Sequence, residues 1–219
     1  MNNPSQSPPR KKSGPSFKEP RKSKEIRQRI CDAAARIMIE EGINDFQHAK
    51  RKASSRLNIR QNFLLPSNKE IEVSLQERLQ LFANESTLGN LNNYRQTAID
   101  IMEFLAPFQP RIVGGILEDY VTPSSSISLH LFAQSPEEIW SFLTEHQISF
   151  HSVDKRFRYD RDRVEYIPVL QLGFKDISIE GAIFSSKGLR QAPRSPVHGN
   201  PMERLTVEQL RLRTKSFQQ

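Results

Sequence analysis

An α+β fold, with an N-terminal helical region followed by a mixed β-sheet domain, is predicted by three features of this chain. Apolar residues recur at helical spacing through the first half, the period shortens to two from Arg111 onward, and one helix-start signature interrupts the strand-like half.

Ser23 is placed to cap a first helix that carries Ile26, Ile30, Ala33, Ala34, Ile37 and Met38 and stops at Gly42. Asn44 caps a second helix with Phe46, Ala49, Ala53 and Leu57 on its apolar face and Lys50, Arg51, Lys52, Arg56 and Arg60 around the rest. Ser67 and Glu70 form a capping box ahead of Ile71, Leu75, Leu79 and Phe82. A fourth helix runs from about Leu91 through Tyr94, Ala98 and Met102 to Leu105, ended by Pro107 and Pro110.

In the second half, segments 111–117, 127–133, 148–153, 157–159, 164–174 and 177–184 read as strands, the last two joined by a tight Lys175-Asp176 turn. Ser135, Pro136 and Glu138 open a helix that reaches about His146. A proline-rich loop over 192–201 and a short helix close the chain. The expected division is therefore a basic tail over 1–22, a helical region over 23–106 and a sheet domain over 107–215.

The 219 residues include 32 Lys and Arg against 25 Asp and Glu, a formal charge of +7. Residues 1–24 alone hold seven basic side chains and one acid, which leaves the remainder close to neutral. The tail has too little apolar surface to offset the entropy of ordering and is expected to stay disordered. It suits a nucleic-acid or nucleotide partner through its phosphates, or serves only as a solvated leader.

No apolar run approaches the roughly 20 residues of a membrane span, and the N-terminus has no apolar core of a signal peptide. With Cys31 as the only cysteine there is no intrachain disulfide, thiolate zinc site or CxxC pair. A cytoplasmic setting is expected.

Gly114-Gly115 closes one strand about a dozen residues before another reading Ser126-Ile127-Ser128-Leu129-His130-Leu131-Phe132, and the last hairpin ends in Asp176-Ile177-Ser178-Ile179-Glu180. Together with Arg95, Ala98, Met102 and Leu105 before them and Lys187-Gly188-Leu189-Arg190 after, this pattern resembles the nucleotidyltransferase-like superfamily, notably its small proteobacterial members. The resemblance spans roughly residues 25–212. It implies a glycine pair that cradles nucleotide phosphates, an Asp-x-Asp strand whose same-face carboxylates hold two Mg²⁺ ions, and a third carboxylate on a later strand.

Ser126 and Ser128 stand at the two aspartate positions here, and neutral hydroxyls are weak ligands for a hard dication. Glu180 is the third position and the one catalytic candidate. The expectation is a nucleotidyltransferase fold with degenerate or altered chemistry, no metal set, and Mg²⁺ as cofactor only if catalysis survives. Gly114, Gly115, Ser126, Ser128, Lys187 and Arg190 are the expected nucleotide and phosphate contacts, with Glu118 and Asp119 as substitute acids. His130, inside an apolar strand, is expected as a hydrogen-bonded core residue, and Cys31 as a small core residue.

The alternative is a nucleic-acid-binding regulatory protein using the basic arm and the helices over 23–60. Ile30, Ala33, Ala34 and Ile37 leading to Glu40-Glu41-Gly42-Ile43 are similar to the first helix of TetR-type repressors, and 53–59 is similar to a helix-turn-helix turn. Residues 60–66 then depart from a recognition helix, with no base-reading face.

Overall fold

The computed structural model describes residues 21–59, 64–81, 85–119, 121–122 and 124–215, with side chains left aside at 21, 85–90 and 215. The basic tail expected over 1–22 lies outside them except for Arg21 and Lys22, which already belong to the first helix.

Helices α1 (Arg21–Glu40), α2 (Phe46–Arg56) and α3 (Asn68–Leu81) pack around their own core, in which Ile30, Ala34 and Ile37 meet Ala49, Ala53, Ile71 and Leu75. Gly42 ends α1 with φ of 68°, and an added Cβ would come within 2.9 Å of Ser124 Cβ. The cap of α2 is Asp45 rather than Asn44: Asp45 Oδ1 accepts from the His48 N–H at 2.6 Å. Asn44 instead donates from Nδ2 to the Ser124 carbonyl, tying the helices to the segment before the second strand. The Ser67–Glu70 capping box is present, with reciprocal bonds of 3.2 and 2.6 Å.

Helix α4 (Glu85–Phe104) starts earlier than the sequence reading and leaves the helical region in its packing. Its Ala98, Ile101, Met102 and Leu105 join the core of the sheet, so the grouping of 23–106 as one helical unit does not follow the contacts.

Five strands, β1 (Arg111–Val113), β2 (Ile127–Ala133), β3 (Phe150–Arg158), β4 (Val164–Phe174) and β5 (Ile177–Ser185), form a mixed sheet in the order β1-β2-β5-β4-β3. β2 and β5 are parallel and the other neighbours antiparallel. With α5 (Pro136–Glu145) and α6 (Val207–Lys215) completing the helices, the described chain is α+β, and no described helix is long and apolar enough to cross a membrane.

Alternation along the strands assigns the two faces. Ile127, Leu129 and Leu131 of β2, with Ile179 and Ile183 of β5 and Leu170 and Leu172 of β4, pack against α4, α5 and α6. Ser128, His130, Glu180, Ala182, Val169 and Gln171 lie on the opposite face. That second face looks toward α2, α3 and the loop over 192–203.

The strand expected over 111–117 stops at Val113. Gly114 has φ of 86° and ψ of −160°, a region essentially closed to other residues, and Gly115–Glu118 coil into a single 3-10 turn. Conversely, the two segments expected at 148–153 and 157–159 are one continuous strand, β3. The Lys175-Asp176 turn is present, both residues left-handed with φ of 47° and 62°.

Candidate functional site

Register places the site. Ser128 of β2 is the partner of Glu180 of β5, and Glu180 is the partner of Gln171 of β4, so one transverse row of polar side chains crosses the sheet. The next row is His130, Ala182 and Val169. Val113 pairs with Ser128, and a Cβ on Gly114 would lie 3.7 Å from Ser128 Cβ. Ser128, Glu180 and Gly114 are thus brought together as the sequence pattern expects.

Glu180 is already engaged. Lys155 Nζ donates to both of its oxygens at 2.8 Å, and Gln171 Nε2 donates to Oε1 at 3.0 Å. A divalent ion asks for charged oxygens with room around them. Here one carboxylate is filled by an ammonium, its register partner is a neutral hydroxyl, and among the described residues no three His, Cys, Asp or Glu side chains gather as a metal set. These residues do not fit a Mg²⁺ pair. The substitute acids do not repair this: Asp119 is held by Arg95 at 2.5 Å and Glu118 lies 3.9 Å from His198.

The row opens into a cleft with two compartments that share Asp45, Gln47, Asn68, Ser128, Pro196 and Met202. The compartment beside Gly114 and Gly115 has a volume of about 480 Å³ and is lined by Asp45, Glu72, Glu118 and Glu203 with His198, and by no described lysine or arginine. Its acidic wall opposes the phosphate cradle expected at Gly114-Gly115, and the 3-10 turn there supplies no helix axis pointing into it. His198 Nε2 lies 3.4 Å from Glu72, a residue only 5% exposed, and Asn68 Nδ2 donates to the Pro196 carbonyl at 2.9 Å. Both contacts fasten the 192–203 loop to α3.

The other compartment, about 520 Å³, is lined by Lys155 and Arg194 with the acids Asp45 and Glu180; Arg156 and Arg158 border it too, but their register turns their side chains to the opposite face of the sheet. Arg194 is braced by donating from Nε to the Tyr159 carbonyl at 2.7 Å and from Nη1 to the Gly199 carbonyl at 2.8 Å.

His130 forms part of this wall and is 2% exposed. Its Nδ1 accepts from Arg204 Nε at 2.8 Å, and Arg204 is fixed in turn by the Gly188 carbonyl and by the rings of Phe132 and Phe184. Burial, with the Arg204 charge adding to it, pushes the imidazole down to about 3, so it is neutral at pH 7.

Three expected contacts lie elsewhere. Ser126 precedes β2 and lines an adjoining cavity of about 140 Å³ beside Tyr94, which shares Gly115 and Ser128 with the acidic compartment. Lys187 and Arg190 are exposed on and just after a 3-10 turn beyond the end of β5, and line neither compartment. The reason is strand length: about 17 Å of extended chain separates Glu180 from Ser185, which carries the basic loop to the other end of the sheet. Arg194, further along, returns to the cleft. Lys155, Asn68 and Arg204 were not singled out from sequence, because only register and loop path bring them here.

The basic stripe expected on α2 is largely neutralised. Lys50 is buried and donates to Asn68 Oδ1 at 3.0 Å, while Lys52 and Arg56 both pair with Glu41 at 2.5 and 2.6 Å. Desolvation lowers the affinity of Lys50 for its proton. Arg60 lies outside the described residues, as do 61–63, and α3 begins only at Asn68.

No family model matches the chain, and no curated protein matches it.

Proposed function

We propose that this chain binds a phosphate-bearing ligand of nucleotide size in the cleft between α2–α3 and the open sheet face, without nucleotidyl transfer. The observation that carries this reading is the Lys155–Glu180 pair at the centre of the polar row, with Arg194 on the adjoining wall. Lys155 supplies one positive charge beside Glu180 and Arg194 supplies a second at the rim, where an anion can meet both. A cavity of about 520 Å³ is within the range of small-ligand sites.

The phosphate belongs beside Lys155 and Arg194, not at Gly114-Gly115, where the wall is acidic. The resemblance to nucleotidyltransferases supports the ligand class, and the neutral Ser128 beside an occupied Glu180 supports the loss of two-metal chemistry. The regulatory alternative through the helices over 23–60 has less behind it, since on α2 Lys50 is buried and Lys52 and Arg56 pair with Glu41, which leaves Arg51 there and the exposed Lys24 and Arg29 on α1.

Calorimetric titration of the full chain with AMP and ATP, in the presence of EDTA or of Mg²⁺, tests the proposal. Micromolar to millimolar binding that persists in EDTA and weakens several-fold in Lys155→Met and Arg194→Met is expected. Transfer of a nucleoside monophosphate to an acceptor that requires Mg²⁺ and is lost in Glu180→Ala overturns it.

A further inference from the structure

The His130 row of the sheet has a chemistry of its own. His130, Ala182 and Val169 are register neighbours across β2, β5 and β4, so they present one continuous strip to the cleft. Ala182 contributes only a methyl group between two larger neighbours, which leaves a shallow apolar bed. Phe157 stands at its margin, its ring edge-on to the imidazole with centroids 6.0 Å apart.

The imidazole itself is locked. Because Nδ1 accepts the Arg204 Nε–H, the single proton of the neutral ring resides on Nε2. Nε2 makes no hydrogen bond among the described residues and is not one of their fully buried unpaired atoms, so it stands open where His130 lines the cavity. A donor that the fold leaves unbonded at the wall of a cavity is an address for an acceptor that comes from outside the fold.

We infer that His130 is the base-recognising donor of this cleft: its Nε2–H takes an acceptor atom of a flat, uncharged ring, the nucleobase of a nucleotide, lying on Ala182 and Val169. An apolar bed with a single neutral donor at its rim suits such a ring, whereas a phosphate would be stripped of water there with only one hydrogen bond in exchange. The adjoining polar row then leads from the base toward Lys155 and Arg194. This inference rests on the phosphate-ligand reading of the same cleft for the other end of the molecule.

Three probes separate the two ideas in calorimetric titrations of the full chain: AMP, ribose 5-phosphate and adenosine. Two substitutions dissect the imidazole. His130→Asn keeps an acceptor near Nδ1 for Arg204 but removes the Nε2 position, and His130→Gln keeps an N–H donor near Nε2. AMP is expected to bind about tenfold tighter than ribose 5-phosphate, with that gap closed in H130N and partly kept in H130Q. In parallel, the ¹⁵N signal of the imidazole should report the Nε2–H tautomer and shift on adding AMP but not ribose 5-phosphate.

Equal binding of AMP and ribose 5-phosphate, or a gap that survives H130N in a folded protein, overturns the inference and leaves the phosphate reading standing. Adenosine binding that H130N abolishes, with no response to ribose 5-phosphate, upholds the inference and removes the phosphate reading. Silence toward all three probes removes both.

Discussion

Lys155 on β3 reaches over the intervening strand β4 to place its Nζ 2.8 Å from both carboxylate oxygens of Glu180 on β5. The pair is half open to water, with side-chain exposures of 42% and 26%, so screening limits its contribution to folding. Lys155→Met and Glu180→Gln should each lower stability by about 0.5–1 kcal/mol, and a double-mutant cycle in urea should show a coupling no larger than about 1 kcal/mol. A loss several times greater would mean that the pair is a folding element rather than part of a binding surface.

The buried imidazole makes stability depend on pH in a defined direction. His130 has its ordinary value near 6.5 in the unfolded chain and about 3 in the fold, chiefly through burial and then through Arg204. A depressed value means that the unfolded state binds the proton first. The contribution is therefore fully present above about pH 6.5 and is lost as pH falls toward 3, at up to about 1.4 kcal/mol per pH unit. Urea midpoints between pH 7 and pH 5 should fall more steeply for the native sequence than for His130→Gln. Parallel slopes for the two proteins would contradict the burial of a neutral ring.

Gly114 occupies a backbone region that an L side chain enters only under strain, although the space around it is open, with Ser128 Cβ at 3.7 Å. Gly114→Ala is expected to cost about 1–3 kcal/mol from the backbone alone, measured as a shift of the urea midpoint at constant m-value. A neutral result would show that the chain relaxes around residue 114 and that the abrupt end of β1 does not depend on glycine.

Elements whose signal is local are legible in the sequence, and contacts that depend on strand register are not. The α3 capping box, the proline start of α5 and the change of period at Arg111 are contained in a few neighbouring residues, and each gives an element in the structure. The Ser128–Glu180–Gly114 grouping was legible because strand alternation puts i and i+2 on one face. Lys155 was not, because Asp154, Lys155 and Arg156 look like a loop between two strands when β3 is in fact an edge strand that tolerates charge on its exposed face. Lys187 and Arg190 were misplaced because a basic loop after a strand says nothing about which end of the cleft it reaches.

The β4–β5 hairpin is closed by two non-glycine residues in left-handed geometry. Lys175 is retained by its 2.5 Å ion pair with Asp100, which leaves Asp176, with φ of 62°, as the position to relieve. Asp176→Gly should stabilise the protein by about 0.5 kcal/mol, since the second residue of such a turn favours glycine. A thermal melt should rise by about 1–2 °C, and a fall would indicate that Asp176 makes up in the folded state what its backbone costs.

Cys31 tests the helical layer independently of the cleft. The thiol is 2% exposed in the core shared by α1, α2 and α3, and burial, reinforced by the Glu70 and Asp32 carboxylates, pushes its pKa up to about 11. The nucleophile in disulfide exchange is the thiolate, so both protonation and access protect it. Reaction with an aromatic disulfide reagent at pH 8 should proceed only through opening of α1–α3, at least about a thousandfold slower than in urea-unfolded chain. Lys50→Met leaves the apolar packing around Cys31 in place and removes a buried ammonium, so labelling should remain slow in that variant. Stoichiometric labelling of the native protein within minutes would show that these helices open far more readily than their packing allows, and that the wall they provide for the cleft is not a fixed one.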